Sequence, residues 1–196
     1  MAKNISVCLT FDFDAMSVWI GTFNTRSPSA LSRGEFGNIG AQRLLTMLHE
    51  WGIRSTWFVP GHTADAFPDT VKKIAAAGHE IGHHGYFHQR HPTPEDEASD
   101  FDRCTATLKR LVGMEPVGYR SPAAGLMPST LNLLLERGFL YDSSMMGQDF
   151  SPYYWPRRRP GPEGRTLRIR ARSGTGRDAV YVGSRRLSHL RTRMDS

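Results

Sequence analysis

The sequence predicts an α/β protein made of parallel β/α units, arranged as an open sheet or a barrel. Short β-prone apolar runs alternate with helical segments, and a glycine closes most of those helices. The residues with the most chemistry in them, Asp12, Asp14, His84, His88 and Arg120, sit at the C-terminal ends of predicted strands. Parallel α/β folds gather their functional groups there.

Each element has its own signal. Residues 5–11 form a short apolar run and read as the first strand, followed by a long loop rich in Gly, Ser, Asn and Thr. Asn38 is placed to cap a helix to about Trp51, with Leu44, Leu45 and Leu48 on its apolar face and Gly52 as the stop. "RSTWFV" reads as a strand, and "FPDTVKKIAAAG" as a helix with Pro68 near its start and Gly78 past its end. "HEIGH" is strand-like. Thr93 opens a longer helix to about Val112, with Asp96 set for a capping box. "PVGYR", "PSTLNLLLERG" and "FLYDSS" then read as strand, helix and strand.

Composition narrows the class. The apolar share of 39% is low for a wholly compact chain, which assigns part of it to a non-globular segment. No apolar run approaches twenty residues, so no spanning helix and no membrane partner are expected. The N-terminus enters a strand-like run at once, without a secretory pattern, so the expected location is cytoplasmic. Cys8 and Cys104 read as reduced, buried small residues. The net charge of +6 is uneven. Residues 157–196 carry twelve arginines against Glu163, Asp178 and Asp195, a net +9, and residues 1–156 carry the other 13 basic and 16 acidic side chains, a net −3. A nucleic-acid partner is therefore not expected for the main domain.

Four histidines fall within "EIGHHGYFHQRH", directly after His79. "HEIGH" formally satisfies the zinc-protease pattern H-E-x-x-H, which needs a helix to bring its two rings to one face. Gly78 has just closed a helix, and a strand would turn Glu80 away from both rings, so the protease reading ranks last. "HGYFH" has the same spacing after the strand, where a turn can aim His84 and His88 at one ion. Asp12 or Asp14 can supply the anionic third ligand.

"LTFDFD", "HGYFH" and "YRSPAAG", in that order, resemble the polysaccharide deacetylases with a NodB-homology domain, whose usual motifs are T-F-D-D-G, H-S/T-x-x-H and R-x-P-x-G. Phe13 separates the two aspartates, Gly85 replaces the small hydroxyl residue, and an extra alanine lengthens the third motif. With "YDSSMMGQD", these departures resemble the intracellular branch that includes cyclic imide hydrolases and allantoinase-like enzymes. The resemblance covers about residues 3–155. It implies a distorted (β/α) barrel of the NodB-homology type, incomplete at its C-terminus.

Carried over by position, the resemblance implies that Asp14, His84 and His88 bind Zn2+ or another divalent metal. Asp12 is then the general base and Arg120 orients it. The ion would polarise an amide carbonyl and acidify water, and the carboxylate would take the proton. Relatives also carry a general-acid histidine in a late strand, and here His189 is the one histidine after the motifs. The domain organisation expected is a catalytic domain over residues 1–155 and a disordered arginine-rich tail over 156–196.

Three readings of that tail compete: a nucleic-acid-binding arm, a solvated extension, and a segment translated in a shifted frame. The last ranks first, because GC-rich genes read out of frame give Arg-, Gly-, Pro- and Ser-rich protein. One choice of synonymous codons turns "RDAVYVGSRRLSHLR", read one base later, into "VMPFTWVLDDFPTF", similar to what the imidase-like branch carries next. The expectation is a hydrolase of C–N bonds other than peptide bonds, acting on a small amide, imide or N-acetyl substrate and impaired by its C-terminus. Exposed strand edges would invite self-association into a homo-oligomer. The alternative is a non-catalytic, degenerate barrel whose basic tail binds nucleic acid.

Overall fold

The computed structural model describes residues 7–147 and the strand backbones Tyr153–Tyr154 and Tyr181–Val182. The strands are β1 (Thr10–Asp12), β2 (Thr56–Val59), β3 (Glu80–His83), β4 (Gly118–Tyr119), β5 (Tyr141–Asp142), β6 (Tyr153–Tyr154) and β7 (Tyr181–Val182). They form one sheet in the order β1-β2-β3-β4-β5-β7-β6. The pairs are parallel from β1 through β5 to β7, and β6 is antiparallel to β7. From β1 to β5, neighbours in the sheet are neighbours in the chain, which is the winding order of a (β/α) barrel. Among the described residues β1 and β6 are the ends of that sheet.

The helices are α1 (Pro28–Glu50), α2 (Gly61–Ala66), α3 (Pro68–Ala76), α4 (Pro94–Val112) and α5 (Thr130–Glu136). Side chains alternate along β2. Trp57 and Val59 join Leu48, Ile74 and Leu108 in a core beneath the helices. Phe58 turns the other way, against Gly82, where a β-carbon would come within 2.5 Å of its ring. A second core packs Phe101 of α4 against Tyr119, Leu134 and Phe139. Full burial of each such side chain contributes about 1.5–3 kcal/mol.

The ends of α4 are set by the expected residues, although the Asp96 carboxylate accepts from the Thr93 hydroxyl rather than from its backbone N–H. Thr93 Oγ1 accepts from the Asp96 N–H at 3.1 Å, and Gly113 closes the helix with a φ of 76°. Elsewhere the structure differs from the sequence reading. The first helix starts at Pro28, ten residues before Asn38, with proline in its first turn. The glycines that suggested a loop serve close packing instead, since a β-carbon on Gly34 would lie 2.7 Å from the Met16 Cα. Helix α2 escaped the sequence reading because it is short and its buried residues are Gly61, Thr63 and Ala64 rather than large apolar ones. β1 begins at Thr10, and Cys8 before it is half-buried rather than buried, although both cysteines are free.

The arginine-rich tail, with its disordered, nucleic-acid-binding and shifted-frame readings, and His189 lie outside the described residues. The exception is Tyr181–Val182. The sequence reading gave the tail no regular structure, yet this dipeptide pairs with β5. It is part of a Val-Tyr-Val run, which is β-prone.

Candidate functional site

Parallel strands deliver the site residues to one end of the sheet. Phe13 separates Asp12 and Asp14 and buries its ring against Trp57 and Phe67. With a period of two, that anchor leaves both flanking carboxylates on the opposite side. His84 directly follows β3, and a turn through Gly85, with a φ of 68°, leads on to His88.

The turn is held from several sides. The Gly61 N–H donates to Gly85 O at 3.0 Å and the His62 N–H to Tyr86 O at 2.9 Å. The Tyr86 N–H donates to Asp100 Oδ2 at 2.7 Å, while its hydroxyl donates to Asp65 Oδ2 at 2.9 Å and its ring lies 3.6 Å from the Arg103 guanidinium. Thr22 closes the far end. It ends a π-helical turn, Val18–Thr22, and its Oγ1 lies 2.7 Å from His88 Nδ1 and donates to His88 O at 2.8 Å.

Asp14, His84 and His88 converge. Their ligand-capable atoms lie within 4.8 Å of one another, with His84 Nε2 3.4 Å from Asp14 Oδ1 and His88 Nε2 3.5 Å from Asp14 Oδ2. His84 Nδ1 sits 2.6 Å from Arg120 O. A carbonyl can only accept, so Nδ1 carries a proton, and in the neutral ring Nε2 faces Asp14 as a lone pair. Asp14 Oδ1 and His84 Nε2 are both buried without a hydrogen-bond partner.

Burial works to raise the Asp14 pKa, but its polar neighbours His84, then His88 and Arg120, outweigh it and leave it lowered. Burial pulls the His88 pKa down against the pull of Asp14. Two imidazole nitrogens and one carboxylate oxygen converging this closely are a donor set that fits a divalent ion such as zinc.

Beside this cluster, Arg120 Nη1 donates to Asp12 Oδ1 at 2.6 Å. Its Nη2 donates to Thr10 Oγ1 at 3.0 Å and Ser143 Oγ at 2.8 Å, and the guanidinium lies 4.2 Å from the Phe58 ring. Four contacts thus fix one planar group against Asp12.

The H-E-x-x-H residues do not converge. Glu80 to His83 is strand β3. His79 Nδ1 accepts from the Ser55 N–H at 3.1 Å, Glu80 accepts from Thr56 Oγ1, and His83 Nε2 donates to Phe101 O at 3.1 Å. Burial depresses His83 to about 4, a neutral core ring stacked on Phe101. The zinc-protease alternative is removed by these partners.

The family profile for polysaccharide deacetylases matches residues 3–141. The chain belongs to the polysaccharide deacetylase family. The family is one of hydrolases of amide C–N bonds other than peptide bonds, as its named peptidoglycan deacetylases illustrate. A peptidoglycan deacetylase of Helicobacter pylori is 40% identical over 158 residues, covering 79% of this chain and 54% of that protein. A crystal structure from Mycobacterium smegmatis assigned to the polysaccharide deacetylases superposes with a TM-score of 0.73 at 34% identity, covering 89% of this chain and 56% of that one. An allantoinase crystal structure shares the fold, with a TM-score of 0.67 at 23% identity over 89% of this chain and 59% of that one. The chain spans about half the length of the curated relatives it matches.

Sequence reasoning found the converging trio and the Asp12–Arg120 pair but missed Thr22, Thr10, Ser143 and Asp100. A lone hydroxyl or carboxylate carries no local pattern. Only the folded contact reveals what it holds. Among the described residues no helix is long and apolar enough to cross a membrane.

Proposed function

We propose that this domain is a divalent-metal-dependent hydrolase that removes N-acetyl groups from an amino-sugar substrate. The observation that carries the reading is the convergence of the half-buried Asp14 with the buried His84 and His88, their ligand-capable atoms within 4.8 Å of one another, beside the Arg120-held Asp12. The likeness to peptidoglycan deacetylases supports the N-acetyl amide as substrate class.

A divalent ion, preferably zinc, held by the Asp14 carboxylate and the Nε2 atoms of His84 and His88 supplies Lewis acidity towards the amide carbonyl and water. The rest falls to the chain's own residues. Asp12 accepts the proton of the attacking water, which makes it the general base. Arg120 holds that carboxylate in place through the bond to Oδ1, while Thr10 and Ser143 stop the guanidinium from swinging away. The Phe58 ring under the guanidinium adds a cation–π contact that helps hold it in place.

A second substrate class follows from the Asp-Phe-Asp spacing and the "YDSSMMGQD" segment, which resemble the cyclic imide hydrolases. The test is a panel of N-acetylated chito-oligosaccharides, cyclic imides and ureides offered to the chelator-stripped 196-residue chain with and without added Zn2+. Hydrolysis of the N-acetyl amide that requires metal supports the main reading. Hydrolysis confined to imides would shift it to the second class. Failure of Asp14, His84 and His88 substitutions to alter metal binding would remove both.

A further inference from the structure

We infer that Thr22 is a positioning residue that locks the tautomer of His88. The idea rests on the proposed metal-binding role of His88 and concerns how this chain prepares that ring. Thr22 Oγ1 has a single proton, and it is donated to His88 O at 2.8 Å. Towards His88 Nδ1, 2.7 Å away, the hydroxyl can then offer only a lone pair. The neutral imidazole must therefore carry its proton on Nδ1. Nε2 is left as an unprotonated donor facing Asp14 Oδ2 at 3.5 Å.

The surrounding backbone is built for this contact. Val18–Thr22 is a π-helical turn closed by the Phe23 N–H on Val18 O, an uncommon geometry that often marks functional segments. Gly21 lets the turn press on the ligand loop, because a β-carbon there would lie 1.8 Å from Phe87 O and 2.7 Å from His88 O. His88 has a φ of 54°, a conformation that few non-glycine residues hold without external support. The bond Thr22 donates to the carbonyl and the one it accepts from the ring fix the backbone and the proton in one contact. Arg120 O does the equivalent service for His84, so each imidazole has one assigned proton acceptor.

The test compares the full chain with Thr22→Val, which keeps the shape and removes the hydroxyl, and Thr22→Ser, which keeps the hydroxyl. In metal-free protein, nitrogen-edited NMR of the imidazoles should show His88 in the Nδ1–H form in wild type and Thr22→Ser. Thr22→Val should shift it towards the Nε2–H form. Zn2+ affinity, measured by competition with a chromophoric chelator, should fall about 10–100-fold in Thr22→Val and recover in Thr22→Ser. The ring measurement needs no metal or turnover, so it can fail separately from the hydrolase reading. An Nε2–H ring in wild-type protein overturns the inference even if Thr22→Val does not fold. So does a Thr22→Ser variant that binds Zn2+ as weakly as Thr22→Val.

Discussion

At Asp14 a carboxylate meets the Nε2 atoms of His84 and His88 at 3.4 and 3.5 Å. Taking Asp12 as the proton acceptor, Asp12→Asn keeps the shape and removes the basicity. Its kcat should fall about 10²–10⁴-fold while metal stoichiometry stays at the wild-type level, checked by parallel kinetics and metal analysis. His79 makes a separate, structural prediction. It is buried, its Nδ1 accepts from the Ser55 N–H, and burial, then the nearby Arg54 charge, lower its pKa below 6.5. A depressed folded pKa favours the neutral ring in the native state. Its contribution to stability is present above the unfolded value, near 6.5, and is lost as pH falls through the lowered folded value. Replacing His79 with Gln should therefore flatten the acid side of the stability profile, as measured by urea denaturation between pH 7 and pH 4.

At the scale of elements, local signals succeed where local physics decides. Thr93, Asp96 and Gly113 bound α4 because capping needs only the residues at hand. Thr93→Ala should cost about 0.5–2 kcal/mol in equilibrium unfolding. The start of α1 was not legible, because Gly34 sits in the helix for its fit against Met16, which no local pattern reports. β4 and β5 are specified by a similar fit. A β-carbon on Gly118 would lie 2.0 Å from a ring carbon of Tyr141, itself buried in the neighbouring strand. Gly118→Ala should thus destabilise the domain by about 1–3 kcal/mol, read as a lowered midpoint of thermal or urea unfolding.

At the scale of the molecule, strand order and site were readable for one shared reason. Parallel β/α winding places successive strand ends side by side, so Asp12, Asp14, His84, His88 and Arg120, far apart in sequence, meet at one end of the sheet. The metal and acid–base chemistry proposed for them accepts few residue types, which makes those positions conspicuous in a bare sequence. Supporting partners such as Thr22 and Ser143 come from many residue types and are chosen by geometry, so they stayed hidden until the fold was known. The most direct measurement is a Zn2+ titration of the chelator-stripped chain by calorimetry, alongside Asp14→Ala, His84→Ala and His88→Ala. One tight site per chain, lost or weakened by at least about 10-fold in each folded variant, is the expected result. No tight site in the wild type, or one that survives all three substitutions unchanged, would contradict the metal centre on which the proposed hydrolase rests.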